Sequence, residues 1–345
     1  MKMKKKQISI LLIAALTTML FAGCAQVETE ENGDNVLSDN IIITETGEVL
    51  EKEPQPTEEV GEAAEGEAEA EATPDSTIPP VEVVEPEQVI TEEDQIEPTG
   101  SELQIVFLGD SIFDTSRDGT GIPYLTAVRS EADVYNLAIA GTRATLQRDE
   151  SPAREEWESL SLVQVVEALY GNISTDSFEG RRTKEILDNS KINWADTDYF
   201  VIEYGMNDFL SAAPLSNLDE TFDLYTYTGA LRYAVAKLSD LANDATIILC
   251  GPNYAQFYNS EGYMIGDGNT LNTGYGTLFD YKGTCEYVAK EQGAYFFDAY
   301  LDLGIDGYTA EEYLEDGVHL TAAGRQLYAD ELAKLILSIE ETKNN

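Results

Sequence analysis

The sequence predicts an α/β fold of three layers, with helices packed on both faces of a parallel sheet. Three observations predict it. Short apolar runs rich in β-branched and aromatic residues recur from residue 103 onward, nearly continuous rather than alternating, as strands buried on both faces read. Longer amphipathic stretches separate them, the pattern of repeated βαβ units. The first four runs give way to glycine within two residues, and ligands of open parallel sheets bind beyond the carboxyl ends of the strands.

The strands are expected at Leu103–Leu108, Asp133–Ile139, Tyr199–Tyr204, Thr246–Cys250 and Ala294–Ala299. Each is short and bounded by turn residues. The helices are expected at Trp157–Tyr170, Asp223–Asn243, Leu278–Gln292 and Thr321–Ile339. Two stretches exceed what such a sandwich needs: Thr142–Thr197 and the Tyr-, Gly- and Asn-rich Asn253–Tyr275. Loops at strand ends shape pockets.

Three segments divide the chain: residues 1–23, 24–100 and 101–345. The first carries Lys2, Lys4, Lys5 and Lys6 ahead of the apolar run Ile8–Ala22, too short to span a bilayer and patterned as a secretory signal. The run ends in Phe21-Ala22-Gly23-Cys24, which resembles a bacterial lipobox, with Phe21 where an aliphatic residue is usual. The resemblance implies lipidation of Cys24 and a mature protein tethered to the membrane outside the cytoplasm. Residues 27–100 contain no aromatic residue and seven of the eleven prolines. Of the 65 acidic residues, 25 fall in 27–102 against a single lysine. Low hydrophobicity with one sign of charge predicts a disordered acidic tether, with an r.m.s. reach of about 50 Å.

Composition excludes several functions. A net charge of −44 lacks the basic footprint of a nucleic-acid binder. One histidine cannot build a multi-His metal site. Cys250 and Cys285 read as buried apolar residues, the first ending a strand and the second within a helix, with a disulfide between them left open.

Chemistry-bearing residues follow the strands. Gly109-Asp110-Ser111 follows the first, Ala140-Gly141-Thr142 the second and Gly205-Met206-Asn207-Asp208 the third; Asp316-Gly317-Val318-His319 precedes the last helix. A serine nucleophile needs a base, and the base needs a partner to hold its tautomer. The single histidine has an aspartate three residues before it. An acyl-transfer intermediate also needs donors for its oxyanion; the N–H groups of Ser111 and Gly141 and the amide of Asn207 are candidates. Asp110 is expected to hydrogen-bond its own turn.

These four blocks, in this order, resemble the SGNH (GDSL-type) hydrolase family over roughly residues 103–340. Ser111, Gly141, Asn207 and His319 match the four residues that name it, and Asp316 its acidic triad member. The resemblance implies a flavodoxin-like α/β/α sandwich with a five-stranded parallel sheet, no metal or other cofactor, and a serine esterase or acyl-transfer mechanism. Ser111, His319 and Asp316 would be catalytic, with Ser111, Gly141 and Asn207 forming the oxyanion hole.

Tyr254, Phe257, Tyr258, Tyr263 and Tyr275 in the second long loop suit the faces and hydroxyls of sugar rings, or else pack the loop down. Arg143 is a candidate contact for a substrate anion or a surface salt bridge. The expected substrate is a small acyl ester, most simply acetyl, on a glycan or small molecule. An O-acyltransferase, a lipase or lysophospholipase, and a non-catalytic glycan-binding lipoprotein are the alternatives.

Overall fold

A computed structural model describes residues 41–43, 49–51, 99–147, 157 and 160–344. The signal segment, Cys24 and most of the expected tether lie outside the described residues. Within the tether stretch, β1 (Ile41–Ile43) and β2 (Val49–Glu51) pair antiparallel. Thr99 and Gly100 donate their backbone N–H groups to the Asp133 carboxylate.

Five strands form one parallel sheet: β3 (Gln104–Gly109), β4 (Asp133–Asn136), β5 (Tyr199–Glu203), β6 (Thr246–Cys250) and β9 (Tyr295–Phe297), in the order β4-β3-β5-β6-β9. All four pairings are parallel. This is the flavodoxin-like order, whose chain reversal opens a crevice at the carboxyl ends of the strands flanking the switch point. Here those strands are β3 and β5. The five residues of β5 and Ile105–Leu108 of β3 are all buried, which accounts for their unbroken apolar character.

The short α1 (Ser111–Asp114) follows β3, and α2 (Ile122–Ser130) leads to β4. Then come α3 (Leu162–Leu169), α4 (Arg182–Leu187), α5 (Met206–Leu210), α6 (Tyr227–Leu241), α7 (Leu278–Gln292), α8 (Ala310–Tyr313) and α9 (Ala322–Lys343). Helices α2 and α9 pack together, while α3 packs on α6 and α6 on α7. No described helix is long and apolar enough to cross a membrane.

The departures from expectation have local causes. The helix expected from Trp157 starts only at Leu162, because the Ser161 side chain accepts the Gln164 N–H and Gln164 answers in a capping box. The second strand stops at Asn136, whose side chain turns back to accept the Ala138 N–H. Helix α2, not expected, starts after Gly121 with Pro123 in its first turn, a tolerated position. The long loop Asn253–Tyr275 contains a two-stranded ribbon, β7 (Gln256–Tyr258) with β8 (Met264–Asp267). Cys250 and Cys285 are buried and unpaired, with the Cys285 thiol facing the Cys250 carbonyl at 3.6 Å.

Candidate active site

Strand β3 delivers Ser111 to the crevice. At Gly109 a Cβ would sit 2.7 Å from the Phe113 ring, so the turn requires glycine. Asp110 caps α1 by accepting the Ile112 N–H at 3.0 Å, as its place in the sequence suggests. Ser111 is the first residue of α1 and is only partly buried.

The opposite wall is the loop before α9. Asp316 Oδ1 accepts the N–H groups of Val318 at 2.9 Å and His319 at 2.8 Å, while Oδ2 meets His319 Nδ1 at 2.6 Å. His319 Nε2 lies 2.8 Å from Ser111 Oγ. Three side chains from two distant stretches thus form one hydrogen-bonded line. With Nδ1–H donating to the carboxylate, the neutral ring presents its lone pair at Nε2 to the serine O–H. Burial opposes ionisation of Asp316, but the hydrogen bonds from the His319 ring and from two backbone amides outweigh it and hold the carboxyl well below its usual range. The hydrogen bond to Asp316 raises the His319 pKa, against the effect of burial.

The other two blocks close the crevice. Gly141 is exposed and has φ +76°, a conformation that favours glycine. Asn207, on α5, donates its amide to the Thr142 carbonyl and to Asp110 Oδ2, each at 2.9 Å. Both amide hydrogens are therefore engaged in the resting site, and donation to an oxyanion requires one to be shared. The N–H groups of Ser111 and Gly141 have no partner among the described residues. The Gly141 loop is pinned from below: Asp208 accepts the N–H groups of Ala144 at 2.9 Å and Thr145 at 3.1 Å, and Asp114 that of Ala140 at 2.7 Å. Arg143 meets Ser211 Oγ at 3.2 Å and forms no ion pair among the described residues. Nor does any described cluster of three His, Cys, Asp or Glu residues suit a metal ion.

Comparison with known proteins decides the family. The family model for GDSL-like lipases and acylhydrolases matches residues 107–327, more than half of the chain and all four blocks. The chain belongs to the GDSL-like lipase/acylhydrolase family. Among curated proteins none matches it. One crystal structure aligns with a TM-score of 0.51 at 22% identity, covering 68% of this chain and 96% of its own. A family two carbohydrate esterase from Clostridium thermocellum, in complex with cellohexaose, aligns at 0.43 and 21% identity, covering 71% and 66%. The carbohydrate acetylesterase Est24 from Sinorhizobium meliloti aligns at 0.41 and 12%, covering 69% and 100%. Identities this low speak to the fold alone.

In this GDSL-like acylhydrolase the loop aromatics divide into two groups. Tyr254 and Phe257 are buried, whereas Tyr258, Tyr263 and Tyr275 are 37%, 67% and 47% exposed. The ribbon that carries Tyr258 leans on the histidine loop: Gln256 N–H donates to the Gly317 carbonyl at 2.8 Å. Thr273 Oγ1 donates to the Phe209 carbonyl of α5 at 2.7 Å. Two buried acids beneath the site, Glu203 and Asp208, carry no role in the sequence reading. The signal was a lone carboxyl ending the otherwise apolar run Tyr-Phe-Val-Ile-Glu203, where an unpaired charge is costly.

Proposed function

We propose that this acylhydrolase is an extracytoplasmic serine esterase that removes small acyl groups, acetyl in the simplest case, from a glycan. The observation that carries the reading is the unbroken line from Ser111 Oγ to His319 Nε2 at 2.8 Å and from His319 Nδ1 to Asp316 at 2.6 Å. In the first step Ser111 Oγ attacks the ester carbonyl while its proton passes to His319 Nε2. Asp316, already ionised, offsets the imidazolium charge and holds the tautomer. The Ser111 and Gly141 N–H groups and the Asn207 amide meet the oxyanion. Collapse expels the alcohol, protonated by His319, and leaves an acyl ester on Ser111. Water, deprotonated by His319, then attacks that ester; carboxylic acid departs and Ser111 recovers its proton.

The glycan assignment rests on the exposed tyrosines of the ribbon and its following loop, which flank the histidine loop and α5. Aromatic faces stack on sugar C–H groups, and the loop's amides and hydroxyls suit sugar hydroxyls. Lipidation at Cys24 and a reach set by the acidic segment would place the domain at the cell surface. The test is hydrolysis of acetylated oligosaccharides beside nitrophenyl esters from acetate to laurate. Acetate release from the glycan and a preference for short chains support the reading. A preference for laurate, or acyl transfer to added alcohols in place of hydrolysis, would replace it with a lipase or an acyltransferase.

A further inference from the structure

The site stands on three carboxyls that water does not reach: Asp110, Glu203 and Asp208 are each 0% exposed. Two of them are satisfied by donors. Asp208 accepts the Ala144 and Thr145 amides. Asp110 accepts the Ile112 N–H and the Asn207 amide. Glu203 is different. It ends β5 opposite Gly109 of β3 and Cys250 of β6, and neither of its buried oxygens has a partner at hydrogen-bond geometry among the described residues. What lies beside it is Asp110, by its carboxyl and its backbone N–H. Two carboxylates are both acceptors, so this contact requires a proton between them. Asp110 receives two N–H donors at hydrogen-bond distance, which favour its anion; Glu203 has only the Asp110 backbone N–H beside it. The proton therefore belongs on Glu203.

We propose that Glu203 is a neutral acid that donates a hydrogen bond to Asp110 and so fixes ionised Asp110 as the anchor of the Asn207 amide. Glu203 is then a positioning residue: it touches no substrate but acts on the oxyanion donor through Asp110. The chain Glu203–Asp110–Asn207 runs parallel to Asp316–His319–Ser111, one serving the oxyanion and the other the nucleophile. The inference rests on the esterase reading above for its effect on rate, but not for its protonation state.

The surroundings support it. The groups facing Glu203 are Asp110, Tyr204 and Asp208, Cys250 on β6, Tyr227 on α6, Cys285 on α7 and Tyr328 on α9. Each is neutral or anionic, so nothing there offsets a second negative charge. Burial first, and the Asp110 charge second, push the Glu203 carboxyl well above its ordinary range.

Glu203→Gln keeps a donor of the same shape that cannot ionise, and Glu203→Leu removes the donor. In the full-length protein at pH 8, wild type should show the infrared carbonyl stretch of a buried protonated carboxyl, absent from Glu203→Gln. Glu203→Gln should keep kcat within about threefold, with any alkaline fall in rate removed. Glu203→Leu should lose kcat about tenfold or more at nearly constant KM, a part of the about 10²–10³ that a whole oxyanion donor carries. The Asn207 side-chain amide resonance should move in Glu203→Leu and stay in Glu203→Gln. If Glu203→Leu does not fold, the infrared comparison of wild type with Glu203→Gln decides. An identical carboxyl band in both proteins, or equal kcat and equal Asn207 shifts in Gln and Leu variants, overturns the proposal. A protein inactive on all esters but carrying the band, with the Asn207 shift, would sink the esterase reading and keep the acid pair.

Discussion

His319 accepts a proton only when its ring is neutral, so its pKa sets the acid limit of the reaction. Asp316 raises that pKa, which means the ring stays protonated to a higher pH than a free imidazole. The rate should therefore fall, as pH drops, through a value above the ordinary 6.5. In Asp316→Asn the limit should shift to lower pH and the plateau should drop by about 10³–10⁴, since the tautomer is no longer held. A pH–rate profile of both proteins on a short ester checks this; an unmoved limit would remove Asp316 from its role. Asn207→Ala should lower kcat by about 10²–10³ with KM little changed, measured on the same ester. At this scale the sequence was legible wherever chemistry leaves a pattern. Ser111, Gly141, Asn207, Asp316 and His319 stand after strands or before a helix, at the edge of the sheet where open parallel sheets bind ligands. Glu203 could not be placed, because its meaning lies in a partner across the sheet at Asp110, and register is not written in a single strand.

The histidine loop and the β7–β8 ribbon form a unit. Gly317 has φ +90°, and a Cβ there would fall 2.2 Å from the Gln256 carbonyl oxygen. That oxygen is backbone and cannot swing aside. Gly317→Ala should therefore push the loop off the ribbon, lengthen the Ser111–His319 contact and lower kcat, by as much as about 10²-fold. The check is kcat alongside a circular dichroism spectrum; full activity with native structure would contradict it. Helices α7 and α9 start where the sequence places them, at the caps Thr277 and Thr321, whereas α3 and α6 start late, after Ser161 and Thr226. The ribbon was not readable, since Gln256–Asp267 shows no alternation of apolar and polar residues. Its pairing is supported by a neighbour, the Gly317 carbonyl that accepts the Gln256 N–H, rather than by local propensity.

The whole molecule is acidic, and a few of its carboxyls form two opposed sets. Burial raises Asp110 from 3.8 to about 6 and also raises Glu203 and Asp208. Such groups stabilise the fold fully below the unfolded pKa and lose that contribution as pH climbs through the folded one. Asp316 and Glu340 are lowered by their hydrogen bonds against burial; their contribution is present above the unfolded pKa and is lost as pH falls through the folded one. Stability should therefore peak between about pH 4 and 6, helped by relief of repulsion in a chain of net charge −44. Thermal midpoints measured from pH 3 to 9 test this, and a maximum at pH 8 or above would contradict it. The alternation of strand and helix makes the layers legible in the sequence. Strand order was not legible from that alternation, because it depends on which strands meet in space.

The central claim is that Ser111 is the nucleophile of an acyl-transfer cycle. The most direct measurement is mass spectrometry of the protein quenched at low pH during turnover of a short-chain nitrophenyl ester, with Ser111→Ala in parallel. One added acyl group is expected, on the peptide that contains Ser111, with neither adduct nor turnover in Ser111→Ala. Turnover that persists in Ser111→Ala, or an acyl group found on another residue, would contradict it.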